Sequence, residues 1–390
     1  MQNLPRTLRT SGKLTLGLAT AAVLLVLLEM ALRVLWHLAG SSPSQGTVLV
    51  QNRFAPQAQA ELPTWFWNAM APAQRSNVVG NAMAYPDPEF IFRVRPNPTG
   101  APVYGFSGIN ALGFRTAHLD GGSPADRQAN GLRILHLGDS CAWGWGIRRF
   151  EQTIDPEVER RLASEGIASQ VINLAQPGFT TTQGRKLFDQ WLPRLRPDFV
   201  ILQYGWNDRR NSRGFTDRQV MNFLPIVNSW PAKALMKTAL YRTFAWASAS
   251  LTPAPPNPAF GDRDLDPVVD NQRMRVPLKE SIANYREMID RAKGVGARVL
   301  IILPPFRPSV SGLGPRIRDF NREVEASFRD VATFIDLPAM RPPTADLDAY
   351  FDTDGIHPNL RGVRYIAAAL SAAIASQARS SGLSVASSQP

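Results

Sequence analysis

Cysteine is almost missing from this 390-residue chain: Cys141 stands alone. That excludes an internal disulfide framework and every zinc or iron–sulfur site built from several thiolates, and no metal ion or cofactor is expected. Lysine is scarce as well, with six residues against 37 arginines. Acidic residues fall short of basic ones, 32 against 43, leaving a formal net charge of +11. Such a balance suits nucleic acid or an anionic surface. No nucleic-acid motif follows, which leaves a lipid or glycan surface as the charged partner to consider. The chain is nevertheless 44% hydrophobic and 19% charged, so it is no extended disordered polymer, and its length offers material for two or three domains.

The one long apolar run lies near the start. Residues Leu14 to Leu28 carry no charge, and the apolar character continues past Glu29 and Arg33 to Ala39. Residues 14–39 as a helix of about 1.5 Å per residue would cover a hydrocarbon core of about 30 Å, whereas the uncharged part alone is too short. Glu29 and Arg33 are four apart, so they share a helical face and can pair, or they can lie near the outer interface beside Trp36 and His37. Arg6, Arg9 and Lys13 precede the run without an acidic residue, which by the positive-inside rule keeps residues 1–13 cytoplasmic and sends the rest across. A cleavable signal peptide fits a basic start and a short apolar region too, but no strong small-x-small site follows; an uncleaved signal anchor is the preferred reading.

Residues 40–130 mix Pro, Gly, Gln and Asn with short apolar pieces and a Trp pair at Trp65 and Trp67. They read as an irregular extension with strands over Phe90 to Val94 and through Val103, Phe106 and Phe114. From Leu132 onward apolar runs of strand length alternate with helical patterns. Strands are expected near Arg133–Leu137, Gln170–Leu174, Phe199–Tyr204, Arg298–Leu303 and Thr333–Leu337. Helices are expected near Glu151–Ser164, Thr182–Leu195, Leu278–Lys293, Arg316–Arg329 and Asn359–Ser376. Nearly continuous apolar strands in β/α alternation indicate a five-stranded parallel sheet covered on both faces. The alternation is interrupted over residues 209–276, where a Pro cluster (Pro253, Pro255, Pro256, Pro258) follows an apolar, partly helical piece from Met221 to Ser248 that reads as a lid or interaction surface. The Ser-rich residues 379–390 read as a disordered tail.

Four places hold chemistry at strand ends. The first strand runs into Gly138-Asp139-Ser140, and in open α/β sheets ligands bind beyond the carboxyl ends of strands. Near the far end, Asp354 precedes His357 by three residues, a spacing that lets a carboxylate hold the ring Nδ1–H and leave Nε2 to deprotonate a hydroxyl. Between them, Gly178 follows the second strand and can bring a backbone N–H close to a substrate, while Asn207 follows the third and offers an amide. Each motif alone also suits an ordinary turn or helix cap. Their order along consecutive strand ends is what singles them out.

These residues resemble the SGNH hydrolases, the GDSL-like lipase and esterase family, over residues 131–378. The resemblance implies a flavodoxin-like three-layer α/β/α sandwich (the SGNH hydrolase fold), with Ser140 as nucleophile, His357 as general base and Asp354 as its orienting acid. It further implies an oxyanion hole made by Ser140 N–H, Gly178 N–H and the Asn207 side chain. Gly138-Asp139-Ser140 continues with Cys141 in place of the family's Leu. Asn110 and Gly113-Phe114-Arg115 also look like membrane-anchored bacterial members. Asp352 is the alternative orienting acid. Cys141, His136, Trp143, Trp145 and Trp206 are read as packing residues, with the three Trp as alternative stacking surfaces for sugar rings.

The expected function is an outward-facing, membrane-anchored serine esterase acting on acyl esters of a small molecule or glycan, O-acetyl groups of a cell-envelope or exported polysaccharide among them. The same triad would serve an O-acyltransferase with a sugar hydroxyl as acceptor. A catalytically inactive glycan-binding scaffold would show a broken triad, and here the triad is intact. Against an α/β-hydrolase, which shares the chain order Ser, Asp, His, Ala142 spoils the Gly-x-Ser-x-Gly elbow, the Ser follows the first strand of the domain and the Asp adjoins the His. Arg209, Arg210 and Arg213 beside Asn207 are expected to form a basic surface for anionic lipid or an acidic polysaccharide.

Overall fold

The computed structural model describes residues 6–38, 47–52, 55–63, 66–67, 70, 83–120, 123–124, 131–212, 214–251, 274–304, 314–335, 337 and 347–381. In chain order its helices are α1 (Arg6–Leu38), α2 (Ser140–Trp143), α3 (Ile154–Ser164), α4 (Thr181–Leu195), α5 (Asp217–Val227), α6 (Trp230–Met236), α7 (Ala239–Leu251), α8 (Leu278–Gly294), α9 (Gly314–Phe328) and α10 (Leu360–Ser380). The chain divides into two compact units, one of Met1–Val50, Gln59–Ala69 and Phe223–Asn257, the other of Gln51–Ala58, Met70–Asn222 and Pro258–Pro390.

The second unit is built on a sheet of five parallel strands: β1 (Leu132–Gly138), β2 (Ser169–Asn173), β3 (Phe199–Gln203), β4 (Arg298–Ile302) and β5 (Thr333–Ile335), in the spatial order 2-1-3-4-5. Ile134 sits opposite Val171 on one side and Phe199 on the other. Every residue of β1 and β3 is buried, as strands covered by helices on both faces require. One helical layer is formed by α3 and α10, the other by α4, α8 and α9. The strands and most helices lie within a residue or two of their expected positions, and α10 runs on to Ser380. This is the flavodoxin-like three-layer sandwich.

The extension forms strands at Thr47–Asn52 and Ala55–Pro63, where none was expected, and is less regular further on. Ala84–Asp87 pairs antiparallel with Ile91–Val94, and Leu119–Asp120 with Ser123–Pro124. Where a strand was expected through Val103, Phe106 and Phe114, only isolated bridges form, Val103 with Phe106 and Ile109 with Arg115. The chain reverses twice there and leaves no run long enough to pair. Trp65, the 253–258 Pro cluster and residues 382–390 lie outside the described residues.

In the first unit α1 contains an apolar stretch, Thr15–Leu38, that is long and apolar enough to cross a membrane or to act as a signal sequence, and none of it is buried. Glu29 and Arg33 do pair, at 2.8 Å. The Glu29 carboxylate also accepts the first two N–H groups of α7, from Ala239 and Leu240, each at 2.8 Å. Those groups have no intrahelical partner, so an acid from a neighbouring helix caps α7 and complements its dipole. Further along both helices, Trp36 Nε1 donates to Thr243 Oγ1 at 2.8 Å and its ring meets Trp246 edge-on at 5.9 Å.

Candidate active site

Strand β1 delivers its last residues to the carboxyl edge of the sheet, where Gly138 is forced by crowding. A Cβ there would stand 2.4 Å from the Ala142 Cβ and 2.7 Å from the Gln203 carbonyl oxygen, so only glycine lets α2 fold back this closely over β3. Asp139 is buried and caps α2, accepting Cys141 N–H at 2.9 Å. Burial pushes its carboxyl up to about 6, against the pull of that N–H and of His357. Ser140 thereby becomes the first residue of α2. Cys141 packs with Trp206, Ile317 and Ile356, and burial raises its thiol well above the usual range, which fits a packing residue.

His357 reaches the same spot from the loop ahead of α10. Its Nε2 lies 2.7 Å from Ser140 Oγ and its Nδ1 2.5 Å from Asp354 Oδ2. The other Asp354 oxygen accepts the backbone N–H groups of Ile356 and His357, at 2.8 and 3.0 Å. Partial burial acts to raise the Asp354 carboxyl, but the His357 ring and those two N–H groups together hold it well below the usual carboxylate range. Asp352, the alternative acid, points instead against Gly146, with Oδ2 2.7 Å from where a Cβ on that glycine would stand.

Gly178 and Asn207 occupy the next two strand ends. Gly178 has φ of 84°, the left-handed region that favours glycine. The Asn207 side chain donates to the carbonyl of Phe179 at 3.1 Å, which ties the two loops together. Beside it, buried Asp208 accepts from Thr181 N–H, Thr181 Oγ and Ser281 Oγ at 2.8, 2.5 and 2.7 Å. Burial outweighs those donors and lifts its carboxyl to about 6.

Two arginines that sequence reasoning passed over, or noted only as part of a motif, support these loops. Arg275 is fully buried, pairs with equally buried Asp217 at 2.8 Å, and donates to the Gly178 carbonyl at 3.0 Å. Arg115, from the extension, donates to the carbonyls of Ser107, Trp143, Gly144, Ile147 and Arg148, and so clamps the loop that follows α2. Burial lowers its guanidinium to about 10. Gln176 also bridges extension and site loop, accepting from Val94 N–H at 2.8 Å and donating to the Gly113 carbonyl at 3.1 Å.

Other expectations divide. His136 is buried with Nδ1 2.6 Å from Asp155 Oδ1, a core pair beneath the site. Trp143 and Trp206 are buried, but Trp145 is only half-buried and its ring centre lies 6.3 Å from that of His357. The basic surface beside Asn207 is not found as expected: Arg209 is buried and Arg210 half-buried, while Arg213 lies outside the described residues. The reason is local. The returning segment Met274–Val276 covers this chain, with Arg275 N–H on the Arg210 carbonyl at 2.8 Å and Arg316 on that of Arg209 at 3.2 Å.

Among the described residues no cluster of three or more His, Cys, Asp or Glu could hold a metal ion. The arrangement offers a hydroxyl on a ring nitrogen, a carboxylate behind that ring, and two loops with donor groups, which is chemistry for attack on an acyl carbonyl.

A sequence model of the GDSL-like lipase/acylhydrolase family matches residues 136–365. Among solved structures, the lipase/acylhydrolase from Enterococcus faecalis is 20% identical, with a TM-score of 0.40, covering 63% of this chain and 96% of that one. A catalytic mutant of an acetylxylan esterase from Geobacillus stearothermophilus is 15% identical, with a TM-score of 0.41, covering 66% and 98%. No curated protein matches the sequence. The chain belongs to the GDSL-like lipase/acylhydrolase family and is a serine hydrolase of ester bonds.

Proposed function

We propose that the protein is a membrane-anchored esterase in which Ser140 is the nucleophile, His357 the general base and Asp354 the acid that fixes the His357 tautomer. The observation that carries this is the unbroken hydrogen-bonded chain from Ser140 Oγ through the ring to Asp354, at 2.7 and 2.5 Å. With Asp354 accepting Nδ1–H, Nε2 accepts the Ser140 hydroxyl proton as Oγ attacks the ester carbonyl. The developing oxyanion is met by Ser140 N–H, Gly178 N–H and the Asn207 amide. His357 then passes its proton to the departing alcohol, and water, activated by the same Nε2, releases the acid from the acyl-enzyme.

The substrate class we infer is an acyl ester of a glycan outside the cytoplasm, with O-acetyl groups as the acyl portion. Trp145 supports the glycan, being a half-buried aromatic face beside His357 of the kind that stacks on a sugar ring. The basic residues ahead of the apolar stretch of α1 support the outward placement.

The test is hydrolysis of p-nitrophenyl acetate and release of acetate from acetylated polysaccharides by the full chain in detergent. Ser140→Ala should abolish both. Undiminished hydrolysis by that variant would refute the assignment, and transfer of acetyl to an added oligosaccharide faster than its release would convert the esterase into an acyltransferase.

A further inference from the structure

The insertion carries an apolar surface that the esterase reading leaves unused. Trp230 is 81% exposed, Ile226 60% and Leu235 54%, and all belong to the first unit around α6. Of α6 itself only Met236 is buried. Lys233 and Lys237 stand on the same short helix and its cap, with Arg242 a turn beyond, and no Asp or Glu occurs between Arg218 and Gly261. Exposed Trp and Leu interleaved with lysines, without acids, is the composition of a segment lying in a membrane interface. Monomeric surfaces rarely leave such residues in water together.

The contacts of Glu29 set its depth. Residues Leu14 to Leu28 span about 22 Å as a helix, short of the hydrocarbon thickness, so the membrane must end close to Glu29 or extend to Leu38. Extension to Leu38 would bury the α6–α7 junction, with Lys237, about 14 Å inside the hydrocarbon, since that junction is held at Glu29 by the Ala239 and Leu240 N–H groups. A lysine and a helix start belong at the headgroup level. Glu29 therefore marks the outer edge of the hydrocarbon, the last turns of α1, with Met30, Val34 and Leu35 still exposed, pass from it through the headgroup layer beside α7, and α6 lies in that layer where a short span most needs further anchoring.

We propose that α6 and the α6–α7 junction form a second, interfacial anchor, with Trp230 and Leu235 inserted at the acyl boundary and Lys233 and Lys237 on lipid phosphates. This rests on the reading of α1 as a membrane span.

The experiment uses the full chain with Cys141→Ala, reconstituted in phosphatidylcholine vesicles containing phosphatidylglycerol. Trp230→Cys, Leu235→Cys and Thr20→Cys each carry an environment-sensitive fluorophore. At positions 230 and 235 blue-shifted emission is expected, with stronger quenching by lipids spin-labelled near the headgroup than by lipids labelled at the chain end. Position 20 should show the reverse order. Lys233→Gln with Lys237→Gln should reduce quenching at 230 when phosphatidylglycerol is present. A water-exposed label at position 20 would overturn the anchor itself. A buried label at 20 with water-exposed labels at 230 and 235 would overturn only the proposal made here. Shielding at 230 that depends on protein concentration and is quenched by no lipid would assign the face to a second copy of the chain, and would also overturn it.

Discussion

Replacing Asp354 by Asn tests the site at its most sensitive bond, because the carboxylate does two jobs that an amide cannot do together. One oxygen receives His357 Nδ1–H at 2.5 Å; the other receives the Ile356 and His357 N–H groups at 2.8 and 3.0 Å. An amide has one oxygen and one NH2. If the oxygen stays on the two backbone donors, the NH2 faces Nδ1 and forces the proton to Nε2, where it blocks deprotonation of Ser140. If the amide turns over, the tautomer survives but two N–H groups face another donor. Either arrangement gives up interactions with a charged acceptor worth about 1.5–3 kcal/mol each. Because the Asp354 side chain is 46% exposed, water recovers part of that loss, and about 2–4 kcal/mol remains. At 1.36 kcal/mol per decade this is a fall of about 30- to 1,000-fold in kcat, with KM nearly unchanged. Initial rates on p-nitrophenyl acetate at saturating substrate measure it. A loss smaller than tenfold, or one confined to KM, would show that Asp354 does not orient the base.

Arg115→Met should lower stability by about 3–5 kcal/mol, since it strips the donors from five carbonyls at 2.7–3.4 Å, and activity should fall with it. Urea unfolding followed by fluorescence gives the value, and a change below about 1 kcal/mol would contradict the clamp. Gly138→Ala should leave little active protein, because the new methyl meets the Ala142 Cβ at 2.4 Å and the Gln203 carbonyl oxygen at 2.7 Å; wild-type kcat would refute the crowding argument. Asp208 gives a pH signature. Its carboxyl is raised to about 6 in the fold against about 3.9 unfolded, so its contribution to stability is full below pH 4 and is lost as pH rises through 6. Asp139, also raised to about 6, acts in the same direction. Asp208→Asn should therefore flatten part of the fall in melting temperature between pH 4 and 6.5, and an unchanged slope would count against the raised value.

The sheet was legible because parallel strands covered on both faces are largely apolar along their length, and the candidate site was legible only in the order of its four motifs, since each alone also suits a turn or a cap. Cys141 and His136, expected to pack, are buried, the first against Trp206, Ile317 and Ile356 and the second on Asp155. What escaped notice depends on partners with no sequence signature. Arg115 is held by backbone carbonyls, which every residue possesses. Arg275 finds Asp217 across 58 positions, and nothing local announces the pair. Arg209 was misread for the complementary reason: a charge in a sequence says nothing of its burial, and here the returning chain covers it. Trp145 separates from Trp143 and Trp206 only once the loop after α2 is folded.

The insertion is closed at its neck: Asn211 bridges Met274, and Val276 N–H meets the Asp208 carbonyl at 3.2 Å. Ends that lie side by side invite excision, because a tight turn could rejoin them at little loop-closure expense. Yet a cut at this neck, between Asn211 and Met274, removes Asp217 and leaves Arg275, although both belong to the interruption over residues 209–276. A shortened chain would keep a fully buried guanidinium whose counter-charge had gone, directly on the carbonyl of Gly178. The module and its host are thus mutually dependent in charge, and a grafter who exchanges the insertion between relatives must carry both members of that pair or neither.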